Sequence, residues 1–306
     1  MKVLVGTLYS GESEFDECVA AIRGQTFKDF DHVIIKDLPQ IEAHHVLYKS
    51  FLRKATEYGL LIKVDADTVI TSDYLFEGIV EKFFRNDWLD VMNIGVTDFF
   101  TGSMIPAGIQ VYRNTVRWDF ETETLFPDIP ESPKERHYYD TTELAPAALH
   151  IKNPSPYQAF HYGVHRGLKA LARIHSTTHW ENLNQVWRNF ERTGDVRVGL
   201  AALGAELVYA GKLKKPDADY TNPKMKMVLA KYETMSNRDL AREIRRLSAR
   251  NWGVLPGDLR RRTIRALRSE SVSRGIFDEL VLLASQTTRR IRRRCQIVTD
   301  SVRHGE

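Results

Sequence analysis

The sequence of 306 residues contains only two cysteines, Cys18 and Cys295, and neither belongs to a Cys-x-x-Cys pair. This scarcity excludes a zinc site built on thiolates and provides no disulfide framework, because both need several suitably spaced cysteines. We therefore expect two reduced thiols in a cytoplasmic protein.

Long apolar runs are also lacking. The run that follows Lys2 ends at Gly6, which makes it too short for the apolar core of a signal peptide. No stretch approaches the roughly 20 apolar residues of a membrane-spanning helix. These absences predict a cytoplasmic chain that at most contacts the inner face of the cell membrane peripherally.

Lysine is missing from the last part of the chain. From Arg238 onward there are 17 arginines and 8 acidic residues, a net charge of +9, so the rest carries −5 of the total of +4. An arginine-rich tail of this kind indicates either an anionic partner or a solvated helical surface. An anionic membrane surface fits the first alternative, whereas the absence of a nucleic-acid-binding motif argues against nucleic acid.

What remains is an ordinary globular composition, 42% hydrophobic and 27% charged, which suffices for a sizeable core. In the first hundred residues, short β-branched runs alternate with segments of helical spacing. The predicted strands are 2–8, 32–37, 60–65 and 89–96, and the predicted helices are 14–23, 41–58 and 74–85. Such alternation predicts an α/β fold with a mostly parallel sheet flanked by helices.

The later sequence is different in character. A middle segment rich in proline and glycine includes a long loop over residues 126–137, and from residue 158 onward the periodicity predicts helices. We therefore divide the chain into an α/β domain over residues 1–175 and a helical, arginine-rich region over residues 176–306.

The sharpest motif is Asp65-Ala66-Asp67, at the end of the predicted strand 60–65. Two carboxylates this close repel each other, and such a pair persists most naturally where a cation or hydrogen-bond donors compensate it. Mg²⁺ and Mn²⁺ take oxygen ligands and bind phosphate oxygens. Because ligands of open α/β sheets bind beyond the carboxyl ends of the strands, the position favours a metal and diphosphate site over a simple acidic turn.

Three earlier segments, with this motif, resemble the opening of family 2 glycosyltransferases of the GT-A fold. They are Thr7-Leu8-Tyr9-Ser10-Gly11-Glu12, Gln25-Thr26-Phe27 and Val33-Ile34-Ile35-Lys36-Asp37. Ser10 stands where the family usually has asparagine, and a single aspartate replaces the usual pair near Asp37. The resemblance covers residues 1–70 well, extends more loosely to about residue 170, and implies a GT-A type, Rossmann-like sheet with a helical C-terminal region.

The resemblance also implies roles for individual residues. Asp37 would receive the base of the donor nucleotide, Asp65 would contact the ribose or bound water, and Asp67 would ligate Mn²⁺ or Mg²⁺ with Asp65 beside it. The nucleotide-sugar pocket as a whole would comprise Thr7, Glu12, Asp37, Lys63, Asp65 and Ala66.

The family usually supplies a further metal ligand from a histidine later in the chain. We prefer His150, which ends the short apolar run 147–149, because a neutral imidazole at a strand end can ligate a divalent metal. His161 and His165 lie four residues apart on one face of the following predicted helix, and they are the alternative.

A transfer with inversion needs a base that deprotonates the acceptor hydroxyl. In the resembled family this base is an aspartate of a Glu-Asp pair. The nearest match is Asp140, although Tyr139 precedes it, and Asp119 is the competitor. If neither serves, the reaction could retain configuration, and the sequence does not decide this.

The sequence thus predicts a hexosyltransferase of the kind used in polysaccharide biosynthesis. It would move a sugar from a UDP-, GDP- or TDP-linked donor to a hydroxyl of a glycan, lipid or protein. One alternative is a sugar nucleotidyltransferase, but the turn after the first strand carries Glu12 and Glu14 rather than a basic, glycine-rich phosphate loop. The other alternative is a non-catalytic nucleotide-binding or scaffold protein of the same fold.

Overall fold

The computed structural model describes residues 2–121, 127–172, 176–220 and 222–251. The described residues belong to one compact unit. Most of the arginine-rich tail, which is predicted to be helical, lies outside the described residues. The domain boundary predicted at residue 175 falls between two helices and stays a prediction.

The strands are short and lie mainly in the first half of the chain. They are β1 (Val3–Tyr9), β2 (Phe30–Lys36), β3 (Leu60–Lys63), β4 (Thr68–Ile70), β5 (Val91–Asp98), β6 (Ser103–Arg113), β7 (His137–Asp140) and β8 (Ala148–His150). The helices are α1 (Phe15–Gly24), α2 (Gln40–Arg53), α3 (Leu75–Arg85), α4 (Pro156–Leu171), α5 (Ser176–Thr193), α6 (Val196–Tyr209), α7 (Pro223–Leu229) and α8 (Asn237–Asn251).

The strands described by the structure form one mixed sheet in the order β2-β1-β3-β6-β5-β8-β4, with β7 also beside β5. The pairings of β1 with β2 and β3, and of β5 with β7 and β8, are parallel. The long strand β6 runs antiparallel between β3 and β5. The predicted α/β class with a mostly parallel sheet flanked by helices is confirmed.

The two faces of the sheet carry separate hydrophobic clusters because successive side chains of a strand point to opposite sides. Val3, Val5 and Ile62 pack with Phe76 of α3 on one face. Leu4 and Leu61 pack on the other face in a cluster with Tyr48 and Phe51 of α2. The strand period therefore places α1 and α3 on one side and α2 on the other.

Close packing positions α2 over the carboxyl half of β1. A methyl group on Gly6 would lie 2.4 Å from Cδ1 of Leu47, so a larger residue would require the buried Leu47 side chain to shift. The first turn of α2, with Gln40 and His44, consequently lies beside the ends of β1 and β3.

The helical part is built around α6, which is buried along most of its length. Small residues let α4 and α6 approach closely, since a methyl group on Gly163 would lie 1.8 Å from the Ala201 carbonyl oxygen. Among the described helices, none combines the length and apolarity that crossing a membrane requires.

Candidate active site at the carboxyl edge of the sheet

The strand pairing gathers polar side chains along one edge of the sheet. The parallel strands β1, β2 and β3 end there, and the N–H of Asp37 donates to the carbonyl of Tyr9 at 2.9 Å. The peptide that follows β3 stays attached to β1, since the N–H of Ala66 donates to the carbonyl of Leu8 at 3.2 Å. The Asp65-Ala66-Asp67 turn therefore lies at the carboxyl edge, as the sequence predicts.

Two short strands, β4 and β8, bring His150 to this turn. In the antiparallel pair of β4 and β8, Thr68 lies opposite His150. In the parallel pair of β5 and β8, His150 lies opposite Asp98. His150 thus lies between Asp67 and Asp98, and the register of three strands fixes this order.

The side chains of these three residues form a carboxylate–histidine–carboxylate row. His150 Nδ1 donates to Asp98 Oδ1 at 2.7 Å, while His150 Nε2 faces Asp67 Oδ2 at 3.7 Å. Asp98 is fully buried, and its Oδ2 accepts the N–H of Thr101 at 2.8 Å and the hydroxyl of Tyr162 at 3.3 Å. Asp98 therefore fixes both the orientation and the tautomer of the imidazole.

Burial and neighbouring charges shift the pKa values of Asp67, His150 and Asp98. Burial raises the pKa of Asp67, and Asp65 and Glu14 raise it further against the opposing effect of His150. Burial would lower the pKa of His150, but Asp67 and Asp98 outweigh it and hold this pKa above its ordinary value. Burial likewise opposes ionisation of Asp98, yet its bond to His150 keeps the pKa of Asp98 below the usual range.

Backbone strain accompanies the row. The N–H of Ile151 donates to the carbonyl of Asp67 at 2.7 Å, and Ile151 has a φ of 52°. A β-branched residue rarely adopts this left-handed conformation, which costs about 1–3 kcal/mol where the surroundings impose it. The arrangement that holds His150 near Asp67 therefore includes a strained backbone conformation at Ile151.

Asp65 points into a different network. Lys63 Nζ lies 2.8 Å from both carboxylate oxygens of Asp65 and 3.4 Å from Asp128 Oδ1. The Lys63 side chain is only 2% exposed, whereas Asp65 is 41% exposed. Burial would lower the pKa of Lys63, but Asp128 and Asp65 outweigh it and raise this pKa, so the ammonium stays charged.

Asp128 is the centre of that network, and sequence reasoning missed it. Its Oδ1 accepts the Tyr48 hydroxyl at 2.8 Å and lies 2.9 Å from His44 Nε2, and the carbonyl of Asp128 accepts the Tyr112 hydroxyl at 2.8 Å. Burial would raise the pKa of Asp128, but Lys63 and His44 hold it well below the usual range. This residue lies in the predicted long loop, where no local pattern indicates a carboxylate that is only 20% exposed and is paired with a buried lysine.

The turn after β1 adds two more carboxylates. Glu12 Oε2 accepts the N–H of Ser10 at 2.6 Å. Burial, followed by Asp67 and Asp65, raises the pKa of Glu12 from 4.5 to about 7. Glu14 is buried and accepts the N–H of Asn153 at 2.8 Å, which ties the start of α1 to the segment before α4.

The other predicted nucleotide-binding residues surround this turn. Thr7 is fully buried, and its hydroxyl lies 2.9 Å from Nε2 of His32. Asp37 is exposed at the end of β2 with a φ of 55°, a left-handed conformation that aspartate tolerates better than most residues. The structure thus brings Thr7, Glu12, Asp37, Lys63, Asp65 and Ala66 to one edge, and their roles as nucleotide contacts stay predictions.

The alternative histidines lie on α4 with different partners. His161 Nε2 lies 3.0 Å from the carbonyl of Ala218, and His165 Nε2 lies 3.2 Å from Nε2 of Gln40. Burial lowers the pKa of His161 to about 4 and the pKa of His165 well below its ordinary value. Both rings are neutral parts of the helix packing, so of the three histidines it is His150 that faces Asp67.

The two candidate bases lie apart from the row. Asp140 pairs with Ile94, four residues before Asp98, which places it roughly 13 Å back from the edge at about 3.3 Å per residue. It is fully buried, and its Oδ1 accepts backbone N–H groups of residues 142–145 at 3.0–3.4 Å. Asp119 is exposed beside α2 and accepts the N–H of Glu121 at 2.8 Å. The structure does not bring either residue to Asp67, and their catalytic role stays a prediction.

Within the described residues, no three or more His, Cys, Asp or Glu side chains are arranged to hold a metal ion on their own. Asp67 and His150 nevertheless suit a shared ion. Two donor atoms bound to one ion at 2.0–2.2 Å lie about 3–4 Å apart, and Asp67 Oδ2 and His150 Nε2 lie 3.7 Å apart. Mg²⁺ commonly takes only one or two protein ligands and completes its shell with water and phosphate oxygens.

Comparisons with known proteins add little to this geometry. No family model and no curated protein match the chain. Among solved structures, A197 from STIV is 15% identical over 37% of this chain and 65% of its own, with a TM-score of 0.30. S. aureus TarS is 13% identical over 80% of this chain and 54% of its own, with a TM-score of 0.34.

The chain therefore spans about two thirds of the length of the first of these structures and about half of the second. TM-scores this low carry no argument about function, so any functional conclusion depends on the site itself.

Proposed function

We propose that the protein is a metal-dependent glycosyltransferase that moves a sugar from a nucleotide-diphosphate-sugar to a hydroxyl acceptor. The observation that carries the proposal is the row Asp67–His150–Asp98 at the carboxyl edge of the sheet, next to the turn that contains Glu12. A nucleotide site is expected at this edge in an α/β sheet.

The surplus of negative charge supports a divalent ion. Burial, Asp65 and Glu14 raise the pKa of Asp67 against the effect of His150, and burial, Asp67 and Asp65 raise the pKa of Glu12. Buried carboxylates of this kind are stabilised when a cation compensates them. Asp67 and His150 would hold Mn²⁺ or Mg²⁺, and the bound ion would neutralise charge on the departing diphosphate.

The remaining residues position the ligand and its neighbours. Asp98 holds the imidazole of His150 so that Nε2 faces Asp67. Lys63 neutralises and orients Asp65, which leaves the exposed edge of that carboxylate available to accept a ribose hydroxyl. Asp37 would accept an N–H of the donor base at the outer end of the site.

For the acceptor base, Asp140 is the first candidate and Asp119 is the alternative. Asp140 would need to reach an acceptor hydroxyl, yet its carboxylate is buried against the turn that follows it. Turnover of Asp140→Asn decides the matter: near-normal rates would remove Asp140 from the chemistry. The same measurement on Asp119→Asn tests the competitor.

A thermal-shift panel tests the function. UDP, GDP and TDP would each be added with and without Mn²⁺, and the preferred diphosphate at about 100 times its dissociation constant should stabilise the fold by about 2.7 kcal/mol. Asp67→Ala should remove the Mn²⁺-dependent part. Asp73→Ala, at an exposed position before α3, should behave as the wild type.

Each outcome separates the alternatives. Stabilisation by Mn²⁺ and diphosphates that disappears in Asp67→Ala supports the transferase, and turnover of the sugar nucleotide then identifies the donor. Formation of a sugar nucleotide from a sugar phosphate and a nucleoside triphosphate would indicate a nucleotidyltransferase instead. No response to any nucleotide would favour a scaffold protein.

A further inference from the structure

The segment between α6 and α7 reaches the candidate site. It begins with a 3-10 turn, Lys215–Ala218, and continues through Asp219 and Tyr220. The carbonyl of Ala218 lies 3.0 Å from Nε2 of His161 on α4, and Asp219 Oδ2 accepts the N–H of Gln40 at 3.2 Å. These contacts hold the segment against α2 and α4 at the carboxyl edge of the sheet.

These contacts fix the ring of Tyr220. The ring makes edge contacts with Tyr157 and His161, each with a centroid distance of 4.9 Å, and the Tyr157 hydroxyl donates to the carbonyl of Tyr220 at 2.5 Å. On its other side, Cε1 of Tyr220 lies 3.7 Å from the point where a Cβ on Gly11 would stand. The ring therefore packs between α4 and the turn after β1.

The turn against which the Tyr220 ring packs, through Gly11, carries Glu12 and Glu14. Burial raises the pKa of Tyr220, and the charges of Glu12, Asp67 and Glu14 raise it further. The hydroxyl therefore keeps its proton at neutral pH and remains a hydrogen-bond donor. A donor on a ring that packs against the turn carrying Glu12 is well placed for an anionic ligand bound at this edge of the sheet.

We propose that Tyr220 is a ligand-contacting residue whose hydroxyl donates a hydrogen bond to a phosphate oxygen of a bound nucleoside diphosphate. This inference rests on the proposed function, because it takes the diphosphate to lie beside Asp67. It assigns to the part of the chain after α6 a direct contact with the ligand, and so makes this segment part of the site.

The diphosphate suits this position better than the base or the ribose does. Tyr220 packs on the turn after β1, and the charge of Asp67 contributes to its raised pKa. Asp37, the expected base contact, lies instead at the end of β2, on the outer side of β1. The phosphates must also lie closest to the ion. We therefore expect the Tyr220 hydroxyl to contact the diphosphate rather than the nucleoside.

The test compares Tyr220→Phe with Tyr232→Phe. The first change keeps the ring and removes only the donor, and the second removes a hydroxyl from a half-buried tyrosine that follows α7. Dissociation constants for UDP, GDP and TDP, and for the matching nucleosides, would be measured by calorimetry with saturating Mn²⁺. Urea melts without ligand would check that both variants fold as the wild type does.

Loss of one hydrogen bond to a charged oxygen should weaken diphosphate binding roughly tenfold in Tyr220→Phe. Nucleoside binding should not change, and Tyr232→Phe should match the wild type throughout. Equal diphosphate affinity in Tyr220→Phe and wild type would overturn the inference and leave the proposed function standing. A wild-type chain that binds no diphosphate would remove both, and equal weakening of nucleosides and diphosphates would show that Tyr220 only shapes the pocket.

Discussion

The two aspartates of the Asp65-Ala66-Asp67 turn lie one residue apart, yet they belong to different surroundings. Asp65 is 41% exposed and is already paired with the buried ammonium of Lys63. Asp67 is 18% exposed and faces an imidazole at 3.7 Å rather than a permanent cation. Lys63 therefore compensates the charge of Asp65, whereas the charge of Asp67 can be compensated by a bound metal ion.

This difference assigns separate roles to two residues that look equivalent in sequence. A carboxylate that is held by lysine is a poor competitor for a metal, since the ion would have to displace a buried ammonium. A carboxylate with a raised pKa beside a histidine that is oriented by a second carboxylate is a typical arrangement for a metal ligand. The geometry therefore favours Asp67 for the ion and Asp65 for the nucleotide.

The largest effect is expected on the Asp65 side, from Asp128→Asn. Removing this charge leaves Lys63 with one carboxylate partner and should lower the free energy of unfolding by about 3 kcal/mol, as measured by urea denaturation. Mn²⁺ should still bind, because Asp128 contacts neither Asp67 nor His150. Asp90→Asn, which disturbs a carboxylate paired with Arg136, is the matched control for loss of a structural ion pair. Loss of Mn²⁺ binding in Asp128→Asn would contradict the separation of the two networks.

On the other side, Asp67→Asn should weaken Mn²⁺ binding by about 100-fold, more than the loss of a residue that only supports a ligand. The same change should make the metal-free fold slightly more stable, because the pKa of Asp67 is raised and its ionised form is therefore unfavourable at neutral pH. Mn²⁺ titrations and urea melts on one preparation measure both effects. Equal losses of Mn²⁺ affinity in Asp65→Asn and Asp67→Asn would remove the distinction between the two aspartates.

A somewhat smaller effect is expected from Asp98→Asn. The amide can no longer hold the Nδ1 proton of His150 as a carboxylate does, so Mn²⁺ affinity should fall between about 10- and 100-fold. Replacing the Tyr162 hydroxyl, the other side-chain partner of Asp98, by Tyr162→Phe should cost much less. Unchanged Mn²⁺ affinity in Asp98→Asn would mean that His150 is not a ligand.

The smallest effect concerns pH. The pKa of Glu12 is raised to about 7 from 4.5, so the folded state binds this proton more tightly than the unfolded state does. The associated stability is fully present below about pH 4.5 and is lost as the pH rises to about 7. Glu12→Gln should remove this part of the pH dependence in metal-free protein. Identical stability profiles for variant and wild type would contradict the assigned burial of Glu12.

Much of the sheet could be predicted because its strands carry their own signals. The runs that became β1, β2, β3 and β5 are β-branched and apolar, and the helices between them show regular spacing. The strands β4 and β8 have three residues each, which is too short for a period, and they form through tertiary pairing of β4 with β8 and of β8 with β5. The insertion of β6 between β3 and β5 likewise depends on tertiary contacts.

The residues of the site could be predicted where they follow an apolar run that marks a strand. Asp65, Asp67 and His150 each follow an apolar run, and the structure brings them to one edge. Asp98 was missed because the predicted strand ended at Val96, although the rule of polar residues at strand ends would have found it two residues later. Asp128 and Tyr220 lie in irregular segments, and nothing in the local sequence indicates what they approach.

The most direct test of the central claim is a crystal structure of the protein with Mn²⁺ and a nucleoside diphosphate, with data collected at the manganese absorption edge. The account predicts an anomalous peak bonded to Asp67, to Nε2 of His150 and to diphosphate oxygens, with Asp65 still paired to Lys63. A peak on Asp65 with Lys63 displaced, or no peak between Asp67 and His150, would contradict it.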